Sequence, residues 1–199
     1  MIMSQHYLTV EELQAVMPRL KPRPNEAQSY IAPLNAALER FGINTDRRMA
    51  AFLAQVAHES FDLKFWHELW GPTDQQKKYE PPSPVATRLG NTEKGDGERF
   101  KGRGPIQLTG RANYRRYGRE LGLDLEAHPD LVATPDVGFL VAGLFWKEAG
   151  CNALADEMVT SGEALERFAD ITRKINGGLT GLDDRVKRWR HIKKILEVV

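Results

Sequence analysis

The chain has a single cysteine, Cys151, in 199 residues. One thiol excludes an intrachain disulfide and a four-cysteine zinc site. It is compatible with a reducing compartment. Neither charge is in excess: 28 basic residues stand against 27 acidic ones, a net of +1. Dedicated nucleic-acid binders carry a basic surplus, so the balance speaks against that class. Long apolar runs are also missing. The most apolar stretch, Val137–Trp146, has ten residues, too few to span a bilayer, and it reads as a buried helix. The opening residues, Met-Ile-Met-Ser-Gln-His-Tyr, lack the basic and apolar regions of a cleavable signal peptide. These absences predict a protein made in the cytoplasm with no stable membrane association.

Familiar catalytic templates are missing as well. His58-Glu59 opens like a zinc-protease motif, but Asp62 stands where the second His belongs. Gly97 and Gly102 have the spacing of a phosphate-binding loop, yet Arg103-Gly104 replaces its Lys-Ser/Thr. No GxSxG elbow occurs. Cys151 follows Gly150 and an apolar helix, the setting of an inert buried thiol. Nothing here calls for a metal or an organic cofactor.

What is present is helix. At 41% hydrophobic content and this length, the chain reads as one catalytic domain with room for two lobes. Thr9 and Glu12 form a capping box ahead of Leu13, Val16, Met17 and Leu20. Pro18, Pro22 and Pro24 then make a stiff link, which sets an N-terminal helix and link, residues 1–24, before a core of residues 25–199. Further helices carry Tyr30, Leu34, Leu38 and Phe41; Met49, Phe52, Leu53 and Val56 as far as about Glu59; Arg111–Leu121; Asp136–Ala149; Ala164–Ile175; and Val186–Leu196. Residues 70–105 hold six glycines and five prolines and read as a long loop, with a small β-hairpin around Phe100–Leu108. The predicted class is mainly α, a two-lobed helical domain. A loop this long in a compact domain is more often functional than idle.

The candidate chemistry lies in carboxylates. Glu59 falls at a helix C-terminus beside Phe61, Phe65 and Trp66. The dipole end and apolar neighbours both favour the protonated acid, which suits a general acid. Glu68 lies nine residues on, on the opposite face of any continuous helix, so the chain must bend before the two can serve one cleft. Trp70-Gly71-Pro72 signals such a break. Two carboxylates across a cleft are the equipment of glycosidic hydrolysis. In Gly102–Gly110, Gln107 and Thr109 would share one face of a strand. Thr109 could hold a water, or merely cap the helix at Arg111. Asn113, Asn176 and Arg185 each have an ordinary structural alternative: a surface amide, a helix end and an ion pair.

Taken in order, HES at 58–60, GRGPIQLTGRANY at 102–114, INGG at 175–178 and DDR at 183–185 resemble the family 19 glycoside hydrolases. That family includes chitinases and a branch of phage and bacterial cell-wall lysins in a lysozyme-like fold. The resemblance covers about residues 30–190. It implies that Glu59 is the general acid and that Thr109 is the hydroxyl that helps place the attacking water. It makes Gln107, Asn113 and Tyr114 sugar-binding residues, and sets Asn176 and Arg185 in the second wall of the cleft and its charge network. Departures are visible. Plant members are disulfide-rich, and their INGG is followed by Leu-Glu where this chain has Leu179-Thr180. Their second carboxylate lies much further from the first, whereas Glu68 sits at the spacing of the lysin branch. Glu68 is therefore the preferred base, ahead of Asp62, Glu80 and Glu93.

The resulting expectation is an inverting, monomeric glycosidase for β-1,4-linked N-acetylated sugars. Peptidoglycan is the first choice of substrate, reached with the help of a separate membrane-permeabilising protein, and chitin is the second. A silent sugar-binding module on the same fold is the alternative from another class, and the presence of Glu59, Glu68 and Thr109 speaks against it. Nucleic-acid binding through Arg185, Lys187, Arg188, Arg190, Lys193 and Lys194 competes with a plainer role as the solvated face of the last helix.

Overall fold

The structure is a computed structural model and describes residues 6–198. The first five residues, part of the segment read for a signal peptide, and Val199 lie outside them. Its helices are α1 (Val10–Val16), α2 (Pro24–Arg40), α3 (Asp46–Glu59), α4 (Asp74–Lys77), α5 (Pro84–Leu89), α6 (Asp96–Arg99), α7 (Arg111–Leu121), α8 (Pro135–Glu148), α9 (Cys151–Asp156), α10 (Ser161–Asn176) and α11 (Leu182–Ile195), with 3-10 turns at Pro18–Leu20 and Pro129–Ala133. The mainly α class holds. No helix among the described residues is long and apolar enough to cross a membrane. The chain divides into two compact units, one built from the chain up to Lys64 and from Ala142 onward, the other from Phe65–Val141.

In the first unit α3 is the central element. Every residue from Met49 to Ala57 is buried, so the helix is covered on all sides, a pattern that belongs to a core and not to a surface. Thr45 caps it by accepting from the Arg48 N–H at 3.3 Å. Phe52 meets Trp146 edge to face at 5.4 Å, and Phe168 of α10 stacks on Trp189 of α11 at 4.8 Å. Burying each such ring contributes about 1.5–3 kcal/mol. The capping box at Thr9 forms as expected. Pro24 does not belong to the link. It occupies the first turn of α2, where its missing N–H costs nothing and its fixed φ suits a helix.

In the second unit, residues 70–105 are not the bare loop that their glycines and prolines predict. Three short helices form, and the first two have local start or stop chemistry. Thr73 and Gln76 make a capping box for α4. Ser83 caps α5, which has Pro at its start and Gly90 in the left-handed conformation at its end. The expected hairpin is also corrected. Strand pairing among the described residues amounts to isolated bridges, His67 with Arg103 and Arg103 with Leu108. The turn between Arg103 and Leu108 is too tight for a ladder, since Gln107 has φ 55° and donates its N–H to the Gly104 carbonyl at 3.1 Å.

Candidate active site

Glu59, Asn176 and Arg185 lie in the first unit; Glu68, Gln107, Thr109, Asn113 and Tyr114 lie in the second.

In the first unit α3 ends at Glu59, and the next turn is unusual. Phe61, Asp62 and Leu63 all have φ between 55° and 58°, a left-handed run that side chains rarely adopt. It explains why Phe61–Trp66 fits no helical face. Arg23 helps to hold it, donating to the Asp62 carbonyl at 3.1 Å and the Leu63 carbonyl at 3.3 Å. Phe61 lies under the Arg19 guanidinium at 3.7 Å. Asp62 is 1% exposed and pairs with Arg188 and Arg19. A carboxylate committed to two cations is a structural tie, so Asp62 leaves the list of candidate bases.

Glu59 meets a cation. Its Oε1 accepts from Arg185 Nη2. Arg185 is 2% exposed, and each of its nitrogens has a partner. Nη1 donates to Gln55 Oε1 at 2.6 Å, and Nε donates to the Thr180 carbonyl at 3.2 Å. That carbonyl also accepts from Asn176 Nδ2 at 3.2 Å. The INGG and DDR stretches therefore converge on one backbone oxygen, and the place where the family's acidic residue is missing, Thr180, contributes its carbonyl.

Gln55 is the residue that the sequence reading overlooked. It is 2% exposed and lies one helical turn before Glu59. Its Nε2 donates to Thr172 Oγ1 at 2.9 Å, and the Thr172 hydroxyl donates to the Phe168 carbonyl at 3.0 Å. A carbonyl can only accept, so the direction of the whole chain is set: Thr172 presents a lone pair to the Gln55 amide, and Gln55 must turn its oxygen to Arg185. A glutamine among Phe52, Leu53 and Val56 on an apolar helix was the available signal.

His58 Nδ1 lies 2.7 Å from Asp184 Oδ2. Burial would raise the Asp184 carboxyl, but hydrogen bonds from Arg188 and His58 override it and hold the group below its ordinary value. Gly181 has φ 73°, and a Cβ there would stand 2.5 Å from the His58 ring. Glycine is required on both counts.

In the second unit Gly102 is the meeting point. Its N–H donates to Glu68 Oε2 at 3.1 Å, and its carbonyl accepts from the Glu68 N–H at 2.8 Å. Glu68 Oε1 accepts from Gln76 Nε2 at 2.9 Å. The Gln76 oxygen is already taken by the Thr73 N–H at 2.8 Å, so the α4 capping box fixes which end of the amide faces Glu68. On the other side of Gly102, a Cβ would lie 2.7 Å from Gln107 Oε1 and 3.3 Å from Thr109 Oγ1. One glycine thus gathers Glu68, Gln107 and Thr109. Burial, and then the Glu68 charge, raise the nearby Tyr79 hydroxyl above its ordinary value.

The strand that would have aligned Gln107 and Thr109 does not form; their common neighbour is Gly102. The helix-cap role considered for Thr109 is also absent. Gly110 holds the N-cap position of α7, and the Arg111 N–H donates to Asn91 Oδ1 at 2.8 Å. The Thr109 hydroxyl donates to the Gln107 carbonyl at 2.9 Å, so toward any further partner its oxygen is an acceptor. Asn113 donates to the Thr109 carbonyl at 2.8 Å.

Tyr114, expected at the sugar, is a core residue. It is fully buried against Phe100, donates to the Lys101 carbonyl at 2.8 Å and accepts from Arg103 at 3.1 Å. Burial pushes its hydroxyl up to about 12. It supports the Gly102 segment from behind. The competing carboxylates have other partners. Glu80 accepts from the Gly95 N–H at 2.8 Å, and Glu93 pairs with Arg111 at 3.1 Å.

A family model of chitinase class I matches residues 28–189. A Haemophilus influenzae protein described as a glycosyl hydrolase family 19 domain-containing protein is 32% identical over 190 residues, covering 84% of this chain and 89% of its own length. Chitinase 2 of Oryza sativa is 35% identical over 161 residues, covering 70% of this chain. The chain spans 46% of that rice protein and 58% of endochitinase 2 of Gossypium hirsutum. Among solved structures, chitinase C of Streptomyces griseus superposes with a TM-score of 0.72 at 21% identity, covering 98% of this chain and 94% of that one, which shows a shared fold. The family model takes in the HES, GRGPIQLT, INGG and DDR stretches together, and the chain belongs to glycoside hydrolase family 19, a family of chitinase-type glycosidases.

Proposed function

We propose that the chain hydrolyses β-1,4 bonds in the glycan of peptidoglycan. Glu59 protonates the leaving glycosidic oxygen, and the carboxylate that remains is stabilised by the Arg185 guanidinium at its side. Glu68 takes a proton from a water as that water attacks the opposite face of the sugar, which inverts the anomeric centre. Thr109 accepts the water's second hydrogen, because its own hydrogen is engaged with the Gln107 carbonyl. Gln107, Asn113 and Asn176 are the polar groups available to sugar hydroxyls and acetamides.

The observation that carries this reading is the grouping at Gly102. Of Asp62, Glu68, Glu80 and Glu93, Glu68 is the one bound to the glycine-rich segment that also presents Thr109. Leu69 beside it is 73% exposed and offers an apolar surface to a sugar ring. The nine-residue interval between Glu59 and Glu68 supports the lysin branch and hence peptidoglycan. Chitin is the second reading, favoured by relatives whose names are chitinase and endochitinase. On either polymer the enzyme acts as a monomer. It would reach the wall after release from the cytoplasm by another protein.

The test compares sugar release from purified peptidoglycan and from chitin oligosaccharides by the wild type, Glu59→Gln and Glu68→Gln. General acid–base catalysis is worth about a hundredfold to ten-thousandfold, so each amide should lose at least a hundredfold with the fold intact. Release from chitin alone would replace peptidoglycan with chitin. Activity of Glu68→Gln within about threefold of wild type would remove Glu68 as the base.

A further inference from the structure

The basic residues of α11 fall into two classes. Arg185 and Arg188 turn inward, one to Glu59 and the other to Asp62 and Asp184. Lys187, Arg190 and Lys194 are exposed, and among the described residues none of them has an ion-pair partner. Their spacing puts them on one side of the helix. They line a groove of about 640 Å³ together with Leu165, Leu182, Val186, His191 and Asp183. None of these lining residues belongs to the network around Glu59.

The groove has an apolar base and a cationic rim. Leu165 of α10 is 41% exposed, and Leu182 and Val186 continue the apolar surface. His191 donates from Nε2 to the Ala15 carbonyl at 2.9 Å and so is fixed as a wall. The rim carries Lys187, Arg190 and Lys194 against the single carboxylate of Asp183. Helix stability explains only part of this arrangement. Like charges one turn apart weaken a helix. The helix dipole accounts for Lys194 in the last turn, and Asp183 stands at the favourable spacing four residues before Lys187, but neither accounts for Arg190. A row of unpaired cations over apolar surface is complementary to a polymer that presents carboxylates at intervals and methyl or methylene groups between them.

We propose that this groove is a secondary binding surface for the carboxylate-bearing peptide stems of peptidoglycan. It would hold the enzyme on an anionic wall while the carboxylates elsewhere do the chemistry. The inference names the substrate of the proposed function more closely and rests on that reading. Chitin has no carboxylates, so the groove would favour the wall polymer over chitin by charge and not by the shape of the sugar.

The experiment is sedimentation of the full chain with purified sacculi, with sacculi whose carboxyl groups have been blocked by amidation, and with chitin, at low and high salt. The variants are Lys187→Glu/Arg190→Glu/Lys194→Glu and the milder triple change to Gln. Exposed ion pairs are individually weak, so three together should give about a tenfold tighter affinity of the wild type for native over blocked sacculi. Salt should erase most of that preference. Both variants should lose it, yet cleave soluble peptidoglycan fragments whose carboxyl groups have been blocked by amidation at the wild-type rate. Equal binding of the wild type to native and blocked sacculi overturns the proposal. So does sedimentation with phosphatidylglycerol vesicles or retention by duplex DNA, in either case with sacculi ignored. Cleavage of these blocked fragments separates this outcome from failure of the catalytic reading: loss of sacculus binding with cleavage unchanged bears on the groove, and absence of any cleavage bears on Glu59 and Glu68.

Discussion

Replacing Gln55 with Leu tests whether the buried hydrogen-bond chain behind Glu59 matters to catalysis. Leu has a similar volume, so the change creates little cavity and acts through polarity. It removes the acceptor of Arg185 Nη1, a contact of 2.6 Å, and Arg185 has no water to replace it at 2% exposure. An unsatisfied buried donor costs about 1–3 kcal/mol, more when the group is charged. A loss of about 2–3 kcal/mol corresponds to roughly 5–10 °C in Tm for a chain of this size. Thr172 keeps its bond to the Phe168 carbonyl and adds little. The guanidinium retains Thr180 and Glu59 as partners, but its position is no longer fixed from behind. A misplacement of about 1 Å can cost a hundredfold in rate, so kcat on whichever of the two polymers the wild type cleaves should fall about tenfold to a hundredfold with KM changed much less. Thr172→Val should have a smaller effect in the same direction. Combined with Gln55→Leu it should be non-additive by about 0.5–3 kcal/mol in urea unfolding. Strict additivity, or a destabilised Gln55→Leu with normal turnover per folded molecule, would refute the argument.

Thr109→Ala should leave Tm within a degree or two, because α7 is capped through Gly110 and Asn91 and not by the Thr109 hydroxyl; turnover should fall, though less than in Glu59→Gln, and a sharp fall in Tm would restore the cap role. Gly102→Ala should lower activity by displacing Gln107 and Thr109, since the new methyl would stand 2.7 Å from Gln107 Oε1, and unchanged kinetics would count against Gly102 as the meeting point. Glu126 is held at about 2, against an ordinary 4.5, chiefly by its hydrogen bond from Arg115 and also by Arg111; its contribution is present above pH 4.5 and is lost as the pH falls towards 2, so Glu126→Gln should flatten acid unfolding over that window. Burial pushes the Cys151 thiol up to about 12, so a thiol reagent at pH 8 should label the chain only on unfolding, and rapid labelling of the native protein would contradict it.

The sequence made legible those features whose cause is local. Thr9 and Glu12 signal α1 by a capping box, and the apolar spacing of Met49, Phe52, Leu53 and Val56 signals α3; both causes act within one turn of helix. The short helices at 74–99 were hidden because glycine and proline dominate the composition, while the residues that start the first two of them, Thr73 and Ser83, are single hydroxyls. The site divides in the same way. Glu59 and Glu68 stand out as residue types with the right chemistry. What holds them does not, because Arg185 and Gln55 are 130 positions apart in the chain yet 2.6 Å apart in space. Tyr114 is the opposite case, a motif residue that the structure buries. The family resemblance sets it at the sugar with Asn113, but successive residues on a helix point about 100° apart, so Asn113 can face the Thr109 backbone while Tyr114 enters the core. The neighbourhood of a motif identifies the backbone segment that matters, and helical phase then decides which of its side chains faces the substrate. By that rule Asn113→Ala should weaken substrate binding with the fold kept, whereas Tyr114→Phe, which removes the hydrogen bonds to Lys101 and Arg103, should destabilise the second unit by about 1–3 kcal/mol and change KM little at temperatures where it stays folded.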